Sequence, residues 1–321
     1  MSPPHFVADH SNQPFFLREQ IIKTARSFFD RRGFHEVMIP MLNPAIPNEP
    51  NIHPFTTTWK TRRGERRFFL PISPERHMKQ TIAQGIIPCF SISPVMRNLE
   101  DAGSVHAPEF LMLEWYRIDT GYRRIIKDVR SLVNQLKQTL DRYLNLPTTT
   151  ILRYQSQTVD LKSDWPIVSL EELFATVTGL NYQQVITDDR VLFDQAAKKG
   201  YAVNGSGWGE LFDQIFVNEI VPALPNQPCF VTDFPARLSP LCRVNRNKPY
   251  LAERFEFYLF RVEVGNGNNE NTDADQVAKV IDQDPEFIET LRRLDRSGHR
   301  YAGVGLGLDR LIMVLTDQTQ I

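Results

Sequence analysis

Glycine recurs at every second position of Gly303-Val304-Gly305-Leu306-Gly307, just before the apolar stretch 308–315. Alternate residues of a strand share one face, so an extended segment of this kind carries a face with no side chains at all. A bare face is useful when another group lies flat against it, and Arg310, one turn into the following helix, can neutralise a phosphate there. The spacing is not that of the dinucleotide-binding fingerprint, and no βαβ unit follows it.

Two further segments gather reactive groups. Arg97-Asn98-Leu99-Glu100 leads through a loop containing His106 to Pro108-Glu109-Phe110 and then Leu111-Met112-Leu113-Glu114-Trp115-Tyr116-Arg117. Alternation sends Met112, Glu114 and Tyr116 to one side and Leu111, Leu113 and Trp115 to the other, standing a carboxylate and a phenol above an apolar face. Taken alone, this is equally an amphipathic strand with a solvated charge. Glu253-Arg254-Phe255-Glu256 leads to Glu263-Val264-Gly265-Asn266-Gly267, Glu270 and Asp273. Acidic groups around a glycine-rich turn suit magnesium, although Gly, Asn and Asp also make ordinary turns.

The remaining chain reads as scaffold. Leu17, Ile21, Ala25 and Phe28 recur at helical spacing and Gly33 ends that helix. Residues 34–40 are extended and close on Pro40, as an edge strand or interface does. The three apolar runs between 68 and 116 predict a mostly antiparallel sheet, with a long helix over 125–140 lying on it. Residues 148–226 show no catalytic constellation and read as an insertion between the halves of one site. Basic and acidic side chains, 37 and 38, nearly cancel, which disfavours binding a polyanion by bulk charge. Cys89, Cys229 and Cys242 are dispersed and predict reduced thiols, and no long apolar run or leader is present, so a soluble cytoplasmic protein is expected. His35, His53, His77 and His299 lack metal spacing, and Trp59, Trp165 and Trp208 read as packing residues because no basic stripe accompanies them.

In this order the segments resemble the class II aminoacyl-tRNA synthetases, with 33–40 similar to their motif 1, 97–117 to motif 2 and 303–315 to motif 3. Ser73-Pro74-Glu75, Pro108-Glu109-Phe110, Met112-Leu113-Glu114-Trp115-Tyr116, Ala252-Glu253-Arg254-Phe255-Glu256 and Gly307-Leu308-Asp309-Arg310 resemble the lysyl branch. The likeness covers most of the chain and is weak over 148–226. About fifteen residues precede the first helix, leaving no room for an anticodon-binding OB domain. The chain is therefore similar to the stand-alone family that attaches lysine to a lysine side chain of elongation factor P.

That resemblance implies an α+β fold, an antiparallel sheet flanked by helices, with a tail over 1–14 and one catalytic domain over 15–321 carrying the 148–226 insertion. It implies ATP and Mg2+ as cofactors, an amino acid substrate (lysine or an analogue), an acceptor protein like elongation factor P, and a homodimer whose interface includes the segment through Pro40. Anticodon-type tRNA binding and a membrane partner are not expected. Arg97 and Arg310 would be catalytic, gripping phosphate oxygens. Asn98, Glu100, Phe110, Glu263, Val264 and Gly307 would complete the ATP site, with Phe110 on adenine. Ser73, Glu75, Glu114, Tyr116, Asn266 and Glu270 would bind the amino acid, and Glu263 and Glu270 would hold magnesium.

The chain departs from the family pattern at several places. Leu99 stands where motif 2 has glutamate, for which Glu100 can substitute, and Ala107 replaces an asparagine. Asn268 and Asn269 replace an aromatic residue and a histidine or serine, and Gly305 is glycine, as in lysyl-tRNA synthetases. These leave open a ligase with another acceptor, tRNA or a small molecule, and an inactive regulatory paralogue.

Overall fold

The computed structural model describes residues 13–45, 52–99, 103, 105–280 and 284–321. Strands β1 (His35–Glu36), β2 (Thr56–Thr61), β3 (Gly64–Phe69), β4 (Cys89–Met96), β5 (Glu109–Ile118), β6 (Ile151–Tyr154), β7 (Gln157–Asp160), β8 (Ile167–Ser169), β9 (Cys229–Thr232), β10 (Arg254–Leu259), β11 (Val262–Asn269) and β12 (Tyr301–Gly307) alternate with helices. The helices are α1 (Gln13–Asp30), α2 (Glu75–Ile82), α3 (Tyr122–Tyr143), α4 (Leu170–Leu173), α5 (Tyr182–Thr187), α6 (Asp189–Lys198), α7 (Trp208–Ile215), α8 (Val221–Ala223), α9 (Ala274–Ala278), α10 (Pro285–Arg296) and α11 (Leu308–Leu315).

Eight strands form one sheet in the order β1-β4-β5-β12-β11-β10-β9-β8. Its interior pairs are antiparallel, as expected from the sequence, but β1 on β4 and β8 on β9 are parallel, so the sheet is mixed. The edge strands reach their neighbours across long intervening segments, β2, β3 and α2 after β1 and α4 to α8 after β8, instead of tight hairpins, which permits the parallel sense.

On one face, α1, α3 and α11 bury Ile21, Phe28, Phe29, Leu132, Leu136 and Leu311 against Leu113, Trp115 and Val304. Phe29 stacks on Phe90 with centroids 4.7 Å apart and an interplanar angle of 18°. Part of the other face packs on α2, α9 and α10 through Met78, Ile82, Phe287 and Leu291, leaving the middle of that face open. Helices α4–α8 of the 148–226 segment make a separate core around Phe174, Trp208, Leu211 and Phe212, docked on Val231 and Tyr258 of the sheet. That segment is not purely an insertion, because β8 within it is the edge strand of the main sheet.

Trp165 and Trp208 are buried, as their reading as packing residues requires. Trp59 corrects that reading: it is 57% exposed on the β2–β3 hairpin, across from Arg66 and beside Lys60, Arg62, Arg63 and Arg67. Hairpin pairing sets Trp59 and these basic residues, which all fall between 59 and 67, on one basic, aromatic surface. Among the described residues, no helix is long and apolar enough to cross a membrane.

One buried ion pair ties α2 to α10. Asp284 caps α10 by accepting from the Phe287 N–H, and Arg76 donates to both of its carboxylate oxygens, with Nη2 3.0 Å from Oδ1 and 2.9 Å from Glu286. Truncating one partner strands a buried charge, which typically costs ~3–5 kcal/mol. Arg76→Ala should therefore lower the unfolding free energy by about that amount in urea melts. A loss below about 1 kcal/mol would show that the pair is solvated.

Candidate active site

The interior register aligns chemistry in rows. Glu114 of β5 pairs with Gly305 of β12, Gly305 with Asn266 of β11, and Asn266 with Glu256 of β10. Two residues along, Tyr116, Gly303, Asn268 and Arg254 make a second row. Strands lie about 4.8 Å apart, so Glu114 and Asn266 stand roughly 10 Å from each other across a strip of glycine. The bare strand is thus the floor of a trough walled by β5 and β11. A cavity of about 360 Å³ opens over it, lined among others by Ser73, Glu75, Arg97, Glu114, Tyr116, Glu256, Glu263, Asn266 and Asn268.

The two floor glycines differ. A Cβ at Gly303 would lie 2.4 Å from the Tyr116 ring, so the group lying flat there is the protein's own phenol. At Gly305 the nearest atoms are 3.3 Å (Met112 Sδ) and 3.5 Å (Glu114 Oε2) away, and the space above belongs to the cavity. At Gly307 a Cβ would meet only ordinary contacts, so close access does not require glycine there.

One end of the trough is strongly acidic. Tyr116 donates to Glu114 at 2.8 Å, and the fully buried Lys79 lies 2.5 Å from Glu75 and 2.6 Å from Glu270. Asn268 Nδ2 donates to the other Glu270 oxygen at 2.9 Å. Burial, reinforced by Glu75, pushes the Glu114 carboxyl well above its ordinary range, and burial also raises that of Glu270 against the pull of Lys79. Burial disfavours the Lys79 charge, yet Glu270 and Glu75 together raise its pKa. Glu75 and Glu270 thus share one ammonium with Glu114 close by, an excess of acid that a second cation would offset.

The other end is cationic. Arg97 donates from Nε to the Ile72 carbonyl at 3.2 Å and stacks over Phe110 at 5.3 Å. Arg310 donates to the carbonyls of Val105 (2.9 Å) and Glu263 (3.1 Å) and lies 3.6 Å from Glu263 Oε2. Both arginines line a second cavity of about 60 Å³ with His106, Phe110, Val264 and Gly307, and it shares Arg97, Met112, Glu263, Asn266 and Gly305 with the first. The two guanidinium groups therefore face one continuous space.

The expected pairing of Glu263 with Glu270 on one ion is corrected. Seven extended residues separate them by roughly 23 Å, and each has its own cation, Arg310 for Glu263 and Lys79 for Glu270. The carboxylate that does approach Glu263 is Glu256. A tight turn at Phe260 and Arg261, both at positive φ (52° and 62°), folds β10 back on β11, and Tyr258 pairs with Glu263. Burial and then the Glu263 charge push the Glu256 carboxyl up, and Arg254 and Tyr258 bind its oxygens at 2.6 and 2.7 Å. Like charges forced together are what a divalent cation relieves. Among the described residues, no group of three His, Cys, Asp or Glu side chains could hold an ion unaided. An ion on Glu256 and Glu263 would need phosphate or water oxygens as well, which is magnesium's habit.

Of the other expected site residues, Ser73, Glu75, Glu114, Tyr116 and Asn266 line the main cavity. Asn98 is not brought there; its carboxamide oxygen accepts from the Leu99 N–H and its own N–H donates to His53. Glu100 lies outside the described residues. Lys79 and Asp213 were not anticipated, and Arg254 and Glu256 stood in a candidate segment without a role of their own. Glu256 had a usable signal, standing seven residues before Glu263 as Glu270 stands seven after it, but choosing between them requires the hairpin, and Phe-Arg is no turn signature. Asp213 had none.

With this geometry, similarity to known proteins is informative. The chain matches the family described as tRNA synthetases class II (D, K and N) over residues 5–321, and it belongs to that family. Its relatives fall in the lysyl branch. It is 29% identical to the lysine–tRNA ligase of Carboxydothermus hydrogenoformans, over 96% of this chain and 64% of the relative. It is 32% identical to that of Roseiflexus castenholzii and 33% to that of Roseiflexus sp., each over 96% of this chain and 63% of the relative. The chain therefore spans a little under two thirds of the length of these relatives.

The floor can be tested without any ligand. Gly303→Ala should cost about 1–3 kcal/mol, as overpacking does, because its Cβ meets the Tyr116 ring. In a Tyr116→Ala background the added cost should fall to roughly zero in chemical denaturation, since the clash partner is gone. Equal costs in both backgrounds would place the conflict elsewhere.

Proposed function

We propose that this chain activates lysine, or a lysine analogue, with ATP as an aminoacyl adenylate and transfers it to a lysine side chain of elongation factor P or a similar protein. The observation that carries this reading is the cage of Glu75, Glu114 and Glu270 around the single ammonium of Lys79. A substrate with a second ammonium at the end of a flexible chain supplies the missing charge, and the glycine floor receives the chain. At the opposite end Arg97 grips the α-phosphate and draws the substrate carboxylate towards it, while Arg310 holds the far phosphates. Phe110 offers a ring to adenine. Magnesium on Glu256 and Glu263, when bound, offsets the charge of the phosphates. The work left to the protein is alignment and neutralisation. Exposed Met38 and Leu42 beside edge strand β1 support a homodimer through the segment ending at Pro40.

A second reading has tRNA as the acceptor. It is favoured by the printed names of the relatives and by the basic β2–β3 hairpin with its exposed Trp59. Amino-acid-dependent exchange of pyrophosphate into ATP, screened over the common amino acids and β-lysine, tests activation; label transferred from lysine to elongation factor P or to tRNA then separates the acceptors. No exchange with any of them sinks both readings and favours a regulatory paralogue.

The carboxylates should separate by readout. Glu256→Gln should raise the magnesium concentration for half-maximal exchange by at least about tenfold, whereas Glu270→Gln should raise the KM for lysine and leave the magnesium requirement unchanged. The raised Glu256 carboxyl holds its proton to higher pH than an ordinary one. Apparent magnesium affinity should therefore weaken as pH falls through that raised value, and this slope should flatten in Glu256→Gln. A magnesium shift in the Glu270 variant instead would restore the sequence-based pairing.

A further inference from the structure

The segment that carried no chemistry in the sequence contributes a carboxylate to the cavity. Helix α7 buries Trp208, Leu211, Phe212 and Ile215, which turns Asp213 outward from its core and onto the lining of the 360 Å³ space. The Asp213 carboxylate makes no hydrogen bond or ion pair with another described residue. Its nearest charges are Arg254 and Glu256, both on β10. Arg254 is already committed, with its terminal nitrogens on Ser239 (3.3 Å) and Glu256 (2.6 Å) and its guanidinium over Phe234 at 4.6 Å. The residue is exposed at its outer edge, and partial burial on the cavity side raises its carboxyl above the ordinary range in spite of Arg254.

A carboxylate in this position repels phosphates and so leaves the nucleotide to the Arg97 and Arg310 end. The side-chain ammonium of a lysine substrate already meets Glu75, Glu114 and Glu270, and its α-ammonium lies beside the carboxylate near the arginine end. What remains to be matched is the cationic group that arrives last. We infer that Asp213, from the helical insertion, binds the incoming ammonium of an amine acceptor at the cavity opening and takes its proton before transfer. This rests on the activation chemistry proposed above and narrows its acceptor to an amine. The ammonium gives one proton to the Asp213 carboxylate; the freed nitrogen lone pair forms a C–N bond to the adenylate carbonyl carbon. The C–O bond to AMP then breaks, AMP leaves with that electron pair, and the second nitrogen proton passes to solvent.

The test uses the full chain with Asp213→Asn and two nucleophiles, Nα-acetyl-lysine methylamide as the amine and hydroxylamine as a neutral control. Lysine-dependent pyrophosphate exchange and its magnesium requirement should stay within about twofold of the unsubstituted protein, while transfer to the amine at neutral pH falls on the order of 10²-fold. The deficit should shrink as pH rises towards the amine's own pKa of about 10.4, hydroxylamine should lose little, and Asp213→Glu should recover part of the rate. Unchanged amine transfer overturns the assignment, as does a parallel loss with both nucleophiles, which marks a packing role, or a raised magnesium requirement, which makes Asp213 part of the ion site. Absence of exchange in the unsubstituted protein overturns the activation reading and this assignment with it.

Discussion

The register of β5, β12, β11 and β10 is the constraint on which the rest depends. Because side chains alternate, a slip of one residue at any of these three interfaces would send Glu114, Asn266 or Glu256 into the apolar layer beneath the sheet and lift Trp115, Val304 or Phe255 into the cavity. The aromatic and aliphatic groups on the buried side fix that register: Trp115, Phe255 and Val304 are each at most 2% exposed. The polar row above is therefore held by burial below it, with no need for the polar groups to attract one another.

Carboxyl groups are nonetheless crowded together at two places, and this is where the site stores its unfavourable energy. Glu114 and Glu270 are buried near Glu75 with one ammonium among them, and Glu256 is buried near Glu263. The first cluster sets three carboxyl groups against one ammonium, and in the second Glu256 and Glu263 repel each other even with Arg254 and Arg310 at hand. A site tuned in this way gains affinity for cationic ligands because binding removes repulsion already present. Lys79 keeps the amino-acid end from being worse, and it is itself fully buried, so its own charge depends on those same carboxylates.

The fold also brings together surfaces that the linear order keeps apart. The β2–β3 hairpin places Trp59 across from Arg66, and the helices of the 148–226 segment rest on β9 and β10 so that α7 overhangs Arg254 and Glu256. The result is a basic surface outside and an acidic group at the opening.

The sequence by itself determined the two-sided character of β5, which carries Glu114 and Tyr116, and the glycine floor, because period-two alternation and local glycine spacing are properties of contiguous residues, whereas Arg97, Glu75 and Asn266 stood out only through resemblance to the synthetase segments. It determined the helices at α1 and α3 for the same reason. Only the tertiary structure decided that Glu256 and not Glu270 faces Glu263, since that depends on a hairpin turned by Phe260 and Arg261, residues that announce no turn. Only it decided that Gly303 serves Tyr116 while Gly305 serves the cavity, and that Asp213 overlooks the site at all. Those are contacts between elements far apart in the chain, fixed by how cores pack, and no local pattern encodes them.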